Sequence, residues 1–73
     1  NAVIGTGMLP AYTTQIFIPS AIITGNSYIY VTPITSTSNK VLYVKSKDEG
    51  RGFTVGLDTA IRTEIEFNWW VIN

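Results

Sequence analysis

A chain of 73 residues makes one small domain, and a domain of that size buries only about 60% of the surface its unfolded chain exposes. It has no cysteine and no histidine. That excludes disulfide staples, thiolate nucleophiles and the usual zinc sites, and removes the side chain best suited to proton shuttling near neutral pH. Five Lys plus Arg balance five Asp plus Glu, and charged residues make up only 14% of the chain, against about 25% in typical domains. There is no basic footprint for nucleic acid and no polybasic tether for a membrane surface. Apolar runs such as Ile16 to Ile18 are far too short for membrane insertion. Oligomerisation is the remaining way to stabilise so small a chain.

The elements read as strands throughout. Ala2 to Thr6 is a short apolar strand, broken by the glycines at 5 and 7 and by Pro10. Tyr12 to Ile18 alternates Tyr12, Thr14, Ile16 and Ile18 against Thr13, Gln15 and Phe17, and Pro19 stops it. Ser27 to Thr32 sets Ile29 and Val31 on one face and Tyr28, Tyr30 and Thr32 on the other. A polar loop follows Pro33. Val41 to Lys47 then sets Leu42 and Val44 against Val41, Tyr43 and Lys45. Asp48 to Gly52 is a hairpin-type turn with two glycines able to take positive φ. Phe53 to Val55 returns as a short strand.

The last strand is predicted from Ile61 to Ile72. Ile61 and Ile65 are four apart, as on a helix, but the segment alternates better than it spirals. Phe67, Trp69 and Val71 then share a core-facing side, and Trp70 and Ile72 lie on the opposite side with Asn68. The fold class is therefore all-β: a single antiparallel β-sandwich, jelly-roll or Ig-like, or a small barrel, of six or seven short strands.

The sequence offers little chemistry. Ser46 lies between Lys45 and Lys47, but both lysines flank a charged turn, and activating a serine needs a desolvated lysine. Glu64 and Glu66 fall on one face about 7 Å apart by strand rise, a spacing suited to glycoside cleavage only within a deep cleft. A solvated face that discourages unwanted edge pairing accounts for them better. No catalytic, cofactor-binding or metal-binding residue is assigned, and no cofactor. The aromatic residues carry more. Tyr28, Tyr30 and Tyr43 form a candidate ligand platform for a glycan or cell-surface receptor. Val3, Ile4, Phe17, Trp70 and Ile72 form a candidate self-assembly interface, since aromatic residues are also enriched where subunits meet.

The segments SYIYVTP over 27–33, GFTV over 52–55 and FNWWVI over 67–72 resemble a small β-sandwich module. That module recurs, often at C-termini, in phage tail-fibre-like and exported bacterial and archaeal surface proteins. The resemblance runs from about Gly5 onward and rests on strand and turn residues. It implies a structural or adhesive role as a fibre, tip or filament subunit, and it carries no catalytic residues. The expectation is a non-enzymatic, extracellular, cell-surface or virion-associated subunit that associates with itself through strand edges and apolar faces. The alternative is a receptor- or carbohydrate-binding tip of a longer fibre. Residues 1–73 form one domain, with 1–10 an extended N-terminal segment that pairs with a neighbouring subunit. Asn1 in place of an initiator methionine fits either a removed leader or a piece of a longer protein.

Overall fold

In the computed structural model, which describes residues 2–73, six strands follow one another: β1 (Ala2–Leu9), β2 (Gln15–Pro19), β3 (Tyr28–Pro33), β4 (Tyr43–Asp48), β5 (Gly52–Gly56) and β6 (Ile65–Ile72). They form two three-stranded antiparallel sheets. The front sheet has the order β1–β6–β3 and the back sheet β2–β5–β4. The chain crosses between sheets at every connection except the β4–β5 hairpin. β5 and β6 thus become the central strands, and the other four are edges.

Alternation along β6 decides which way the front sheet faces. Ile65, Phe67, Trp69 and Val71 are buried, while Glu66, Asn68 and Ile72 are exposed. From the back sheet, Ile18, Phe53 and Val55 meet them, and Leu9, Ile23, Leu42 and Leu57 close the ends of the core. The Phe53 and Trp69 rings join the two layers edge to face, with centroids 5.3 Å apart. Each fully buried side chain of this size contributes about 1.5–3 kcal/mol by leaving water.

Several strand ends differ from the sequence expectation. β1 runs on to Leu9 because Gly5 and Gly7 act as spacers rather than breakers. A Cβ on Gly7 would stand 2.7 Å from the Phe67 ring, and one on Gly5 would run into the Trp69 indole. The glycines let two large core rings lie directly beneath an edge strand. β2 starts at Gln15 rather than Tyr12, because Tyr12 takes a left-handed φ of 65°. Thr13 there turns back on the Pro10 carbonyl with both its N–H and its hydroxyl. β6 starts at Ile65, the Ile61 carbonyl being taken by the Tyr12 N–H at 2.8 Å. The 48–52 turn closes with an Arg51 N–H to Asp48 carbonyl bond of 2.9 Å, and Gly50 at φ 76° fills its left-handed position.

The N-terminal segment pairs along all eight residues of β1 with β6 of its own chain, Ala2 opposite Ile72 and Leu9 opposite Ile65, and its other edge stays open. Asn1 lies outside the described residues.

Candidate functional site

Cross-strand register sorts the outer face of the front sheet into rows. Ala2, Ile72 and Tyr28 make one, and Ile4, Trp70 and Tyr30 the next. Thr6, Asn68 and Thr32 follow, and then Met8 beside Glu66. The first two rows are wholly apolar or aromatic. By ordinary strand spacing their Cα positions span roughly 10 Å across three strands and 7 Å along them.

These side chains are open to solvent. Ile4 is 77% exposed and Tyr28 66%, while Tyr30 and Ile72 are exposed and Trp70 is partly buried. The Tyr30 and Trp70 rings stack, with centroids 5.2 Å apart and planes 29° from parallel. One face of each ring is therefore occupied by the other.

The sequence candidates divide between the sheets. Ile4, Trp70, Ile72, Tyr28 and Tyr30 fall together on this face, merging most of the assembly set with two of the three platform residues. Val3 belongs to the inward row with Val71 and Ile29 but stays partly open because β1 is an edge. Phe17 and Tyr43 lie on the other sheet. Phe17 reaches over Gly52, where its Cζ would be 2.8 Å from an added Cβ. The Tyr43 hydroxyl donates to Asp58 Oδ1 at 2.6 Å, and this bond, with the carboxylate charge beside it, raises the phenol above its ordinary value.

Three surroundings of the face were not read from the sequence. The Thr6–Asn68–Thr32 row supplies hydroxyls and an amide beside the aromatic pair. Ending the first strand at Thr6 hid Met8, which continues the same alternation. At the far end of β6, Asn73 donates from Nδ2 to the Ile22 carbonyl at 3.0 Å, and the buried Ser27 hydroxyl donates to Asn73 Oδ1. These bonds hold the Trp-Trp strand at its end, and no spacing in the sequence pairs residues 27 and 73.

Between the edges of β3 and β4 runs an open groove of about 350 Å³, floored by Ile29 and Val44 and rimmed by Lys45, Ser46 and Lys47. Lys47 Nζ donates to the carbonyls of Gly25 and Ser27 at 3.2 and 3.1 Å. Its ammonium is thus committed to main-chain acceptors rather than to Ser46. Glu64 lies ahead of β6 and Glu66 within it, both exposed.

A scan against protein-family models finds no match to this chain, and searches of curated proteins and of solved structures find none either. The functional reading therefore rests on the geometry of the face.

Proposed function

We propose that the chain is a non-enzymatic structural module of an extracellular fibre, filament or tail-fibre-like assembly, and that it associates with copies of itself through the outer face of the front sheet. The strand order, β1–β6–β3 over β2–β5–β4, supports treating it as a sandwich module rather than a closed barrel. One observation carries the reading: exposed Ile4, Tyr28, Tyr30 and Ile72 surround a partly buried Trp70 in one contiguous face of a chain of net charge zero. Contiguous apolar patches of this kind mark interaction sites, and little charge is present to keep two copies apart.

A stable interface needs about 800 Å² from each partner, roughly a sixth of the 4577 Å² that this chain exposes. The two aliphatic side chains of the face, Ile4 on its edge strand and Ile72 on its central strand, suit protein packing and offer nothing to a sugar hydroxyl. Sedimentation velocity and negative-stain microscopy test the proposal. Concentration-dependent assembly at tens of micromolar is expected, and a monomer throughout that range overturns it.

The second reading, a carbohydrate- or receptor-binding tip, draws on the Thr6–Asn68–Thr32 row beside the aromatic pair. Hydrogen-bonding groups next to ring edges suit a polar ligand. Titration with a panel of sugars, followed by tryptophan emission, tests it. Saturable change in a monomeric protein favours this reading over assembly.

A further inference from the structure

Four strands of this sandwich are edges, and three of them carry devices that obstruct pairing with another chain. β4 has an irregularity between Val44 and Ser46 and carries Lys45, Lys47 and Asp48. β2 is five residues long and ends in Pro19, which has no N–H to give. β3 ends in Pro33, and at its start the Lys47 ammonium sits on the Ser27 carbonyl. β1 has none of these. Its eight residues, AVIGTGML, contain no charge and no proline, and its ladder runs to β6 on one side only. A long, charge-free edge is what folded proteins ordinarily avoid, because its free N–H and C=O groups template another strand.

We infer that the open edge of β1 pairs antiparallel with β1 of a second copy of this chain, with Thr6 on the two-fold axis. This specifies one contact of the self-association proposed above and rests on it. Symmetry dictates the form of the register. Two identical neighbouring antiparallel strands are related by an axis perpendicular to the sheet, which keeps each side chain on its own face. Directly opposed residues point to the same side, so the axis must pass through a residue paired with itself.

For an eight-residue strand, centring on Gly5 or on Thr6 gives the longest ladder. Gly5 on the axis would set Ile4 against Thr6 of the second copy. Thr6 on the axis sets Thr6 against its own equivalent and Ile4 against Met8 of the second copy. Those are a hydroxyl pair and an apolar pair, both favourable across strands. Ile4 and Met8 are both exposed in the single chain. On the inner side the same register opposes Gly5 to Gly7 of the second copy and Val3 to Leu9.

A second observation meets at this edge. Trp69 Nε1 is the buried side-chain polar atom without a hydrogen-bond partner among the described residues. The carbon bonded to it, Cε2, lies 2.5 Å from where a Cβ on Gly5 would be. Pairing at β1 brings main-chain carbonyls of the second copy to the strand that covers this ring. The result is a continuous sheet of the order β3–β6–β1–β1–β6–β3, with the two aromatic faces on one side.

The absence of native cysteine gives a direct test by single substitution. Directly opposed Cα atoms about 4.5–5.5 Å apart fall within disulfide range. Under mild oxidation, Thr6→Cys is expected to form a covalent dimer about tenfold faster or more than Thr32→Cys, the same row at the opposite edge, because pairing raises the effective thiol concentration. Far-ultraviolet circular dichroism of the reduced variants verifies folding. Thr6→Lys, which sets two ammonium groups across the axis, is expected to weaken association several-fold and supplies a test free of oxidation.

Equal rates for Thr6→Cys and Thr32→Cys, with wild-type protein still associating, overturn the β1 contact and leave the self-association reading standing. Faster cross-linking of Ile4→Cys than of Thr6→Cys overturns the register. Unchanged association of Thr6→Lys overturns the contact. A wild-type chain monomeric at all concentrations overturns both proposals.

Discussion

Trp70 and Thr54 occupy comparable places, each on the central strand of its sheet and each facing away from the core. Around Trp70 stand Ile4, Tyr30, Tyr28 and Ile72. Around Thr54 stand Phe17 and Ser46, with Gln15, Gly56 and Tyr43 on one side and Pro19, Gly52 and Asp48 on the other. The back sheet thus presents what a solvated surface needs: Phe17 lies across Gly52, and the Tyr43 hydroxyl is held by Asp58. The front sheet leaves its apolar groups unanswered within the chain. The glycine pairs show the same division. Gly5 and Gly7 on β1 make room for core rings, whereas a Cβ on Gly52 or Gly56 of β5 would meet the backbone of the Thr14–Pro19 segment alongside. Space in the front sheet serves side-chain packing, and in the back sheet it serves backbone approach.

The strongest way to break this comparison is to remove what the sheets share. Phe53→Ala deletes a fully buried ring in contact with Trp69 and is expected to cost about 3–5 kcal/mol. A chain of this size holds only about 4–11 kcal/mol in all, so urea denaturation should find the variant largely unfolded or barely stable. Gly5→Val comes next. It drives a branched side chain into the Trp69 indole, at an expected cost of about 1–3 kcal/mol, visible as a lowered urea midpoint and altered tryptophan emission. Gly25→Ala, with nothing within 4 Å of the added carbon, should leave both within error.

A smaller effect on folding, with a larger one on assembly, sharpens the contrast between the outer faces. Trp70→Ser should lower stability by about 1 kcal/mol or less beyond the loss of its stacking with Tyr30, while shifting sedimentation toward monomer. Phe17→Ser, on the other sheet, should leave the association constant unchanged. Equal loss of association in both variants would remove the distinction between the faces.

How far these features could be read from the sequence depends on how local their causes are. The alternation that buries Phe67, Trp69 and Val71 and leaves Trp70 and Ile72 outside is written in neighbouring residues, so the two antiparallel layers and the centre of the face were legible. The length of β1 was not. Gly5 and Gly7 carry the composition of a turn, and only the rings of Trp69 and Phe67, sixty or more positions away, make them strand residues. The separation of Tyr43 from Tyr28 and Tyr30 was hidden for a similar reason: which strands share a sheet is decided by long-range pairing. The Ser27–Asn73 bond, across 46 positions, leaves no pattern at either end.

The smallest effect concerns Tyr43 and tests whether the back sheet settles its outer face internally. Its hydroxyl donates to Asp58, and that bond, with desolvation and the carboxylate charge, holds the phenol above the ordinary phenol value of about 10. Up to about pH 9 both folded and unfolded chains keep the phenol protonated, and the bond contributes fully. Above that the unfolded chain releases its proton before the folded one does, so the unfolded state is favoured and stability falls until the folded phenol ionises as well. Tyr43→Phe has no such proton to lose. The difference in urea midpoint between wild type and Tyr43→Phe should therefore be constant from pH 7 to about 9 and decline above about 10. Subtracting the variant cancels the lysines, which titrate in the same window in both proteins. A difference that stays flat through pH 11 would mean the Tyr43–Asp58 bond is not populated in solution, and would return Tyr43 to the set of groups free to meet a ligand.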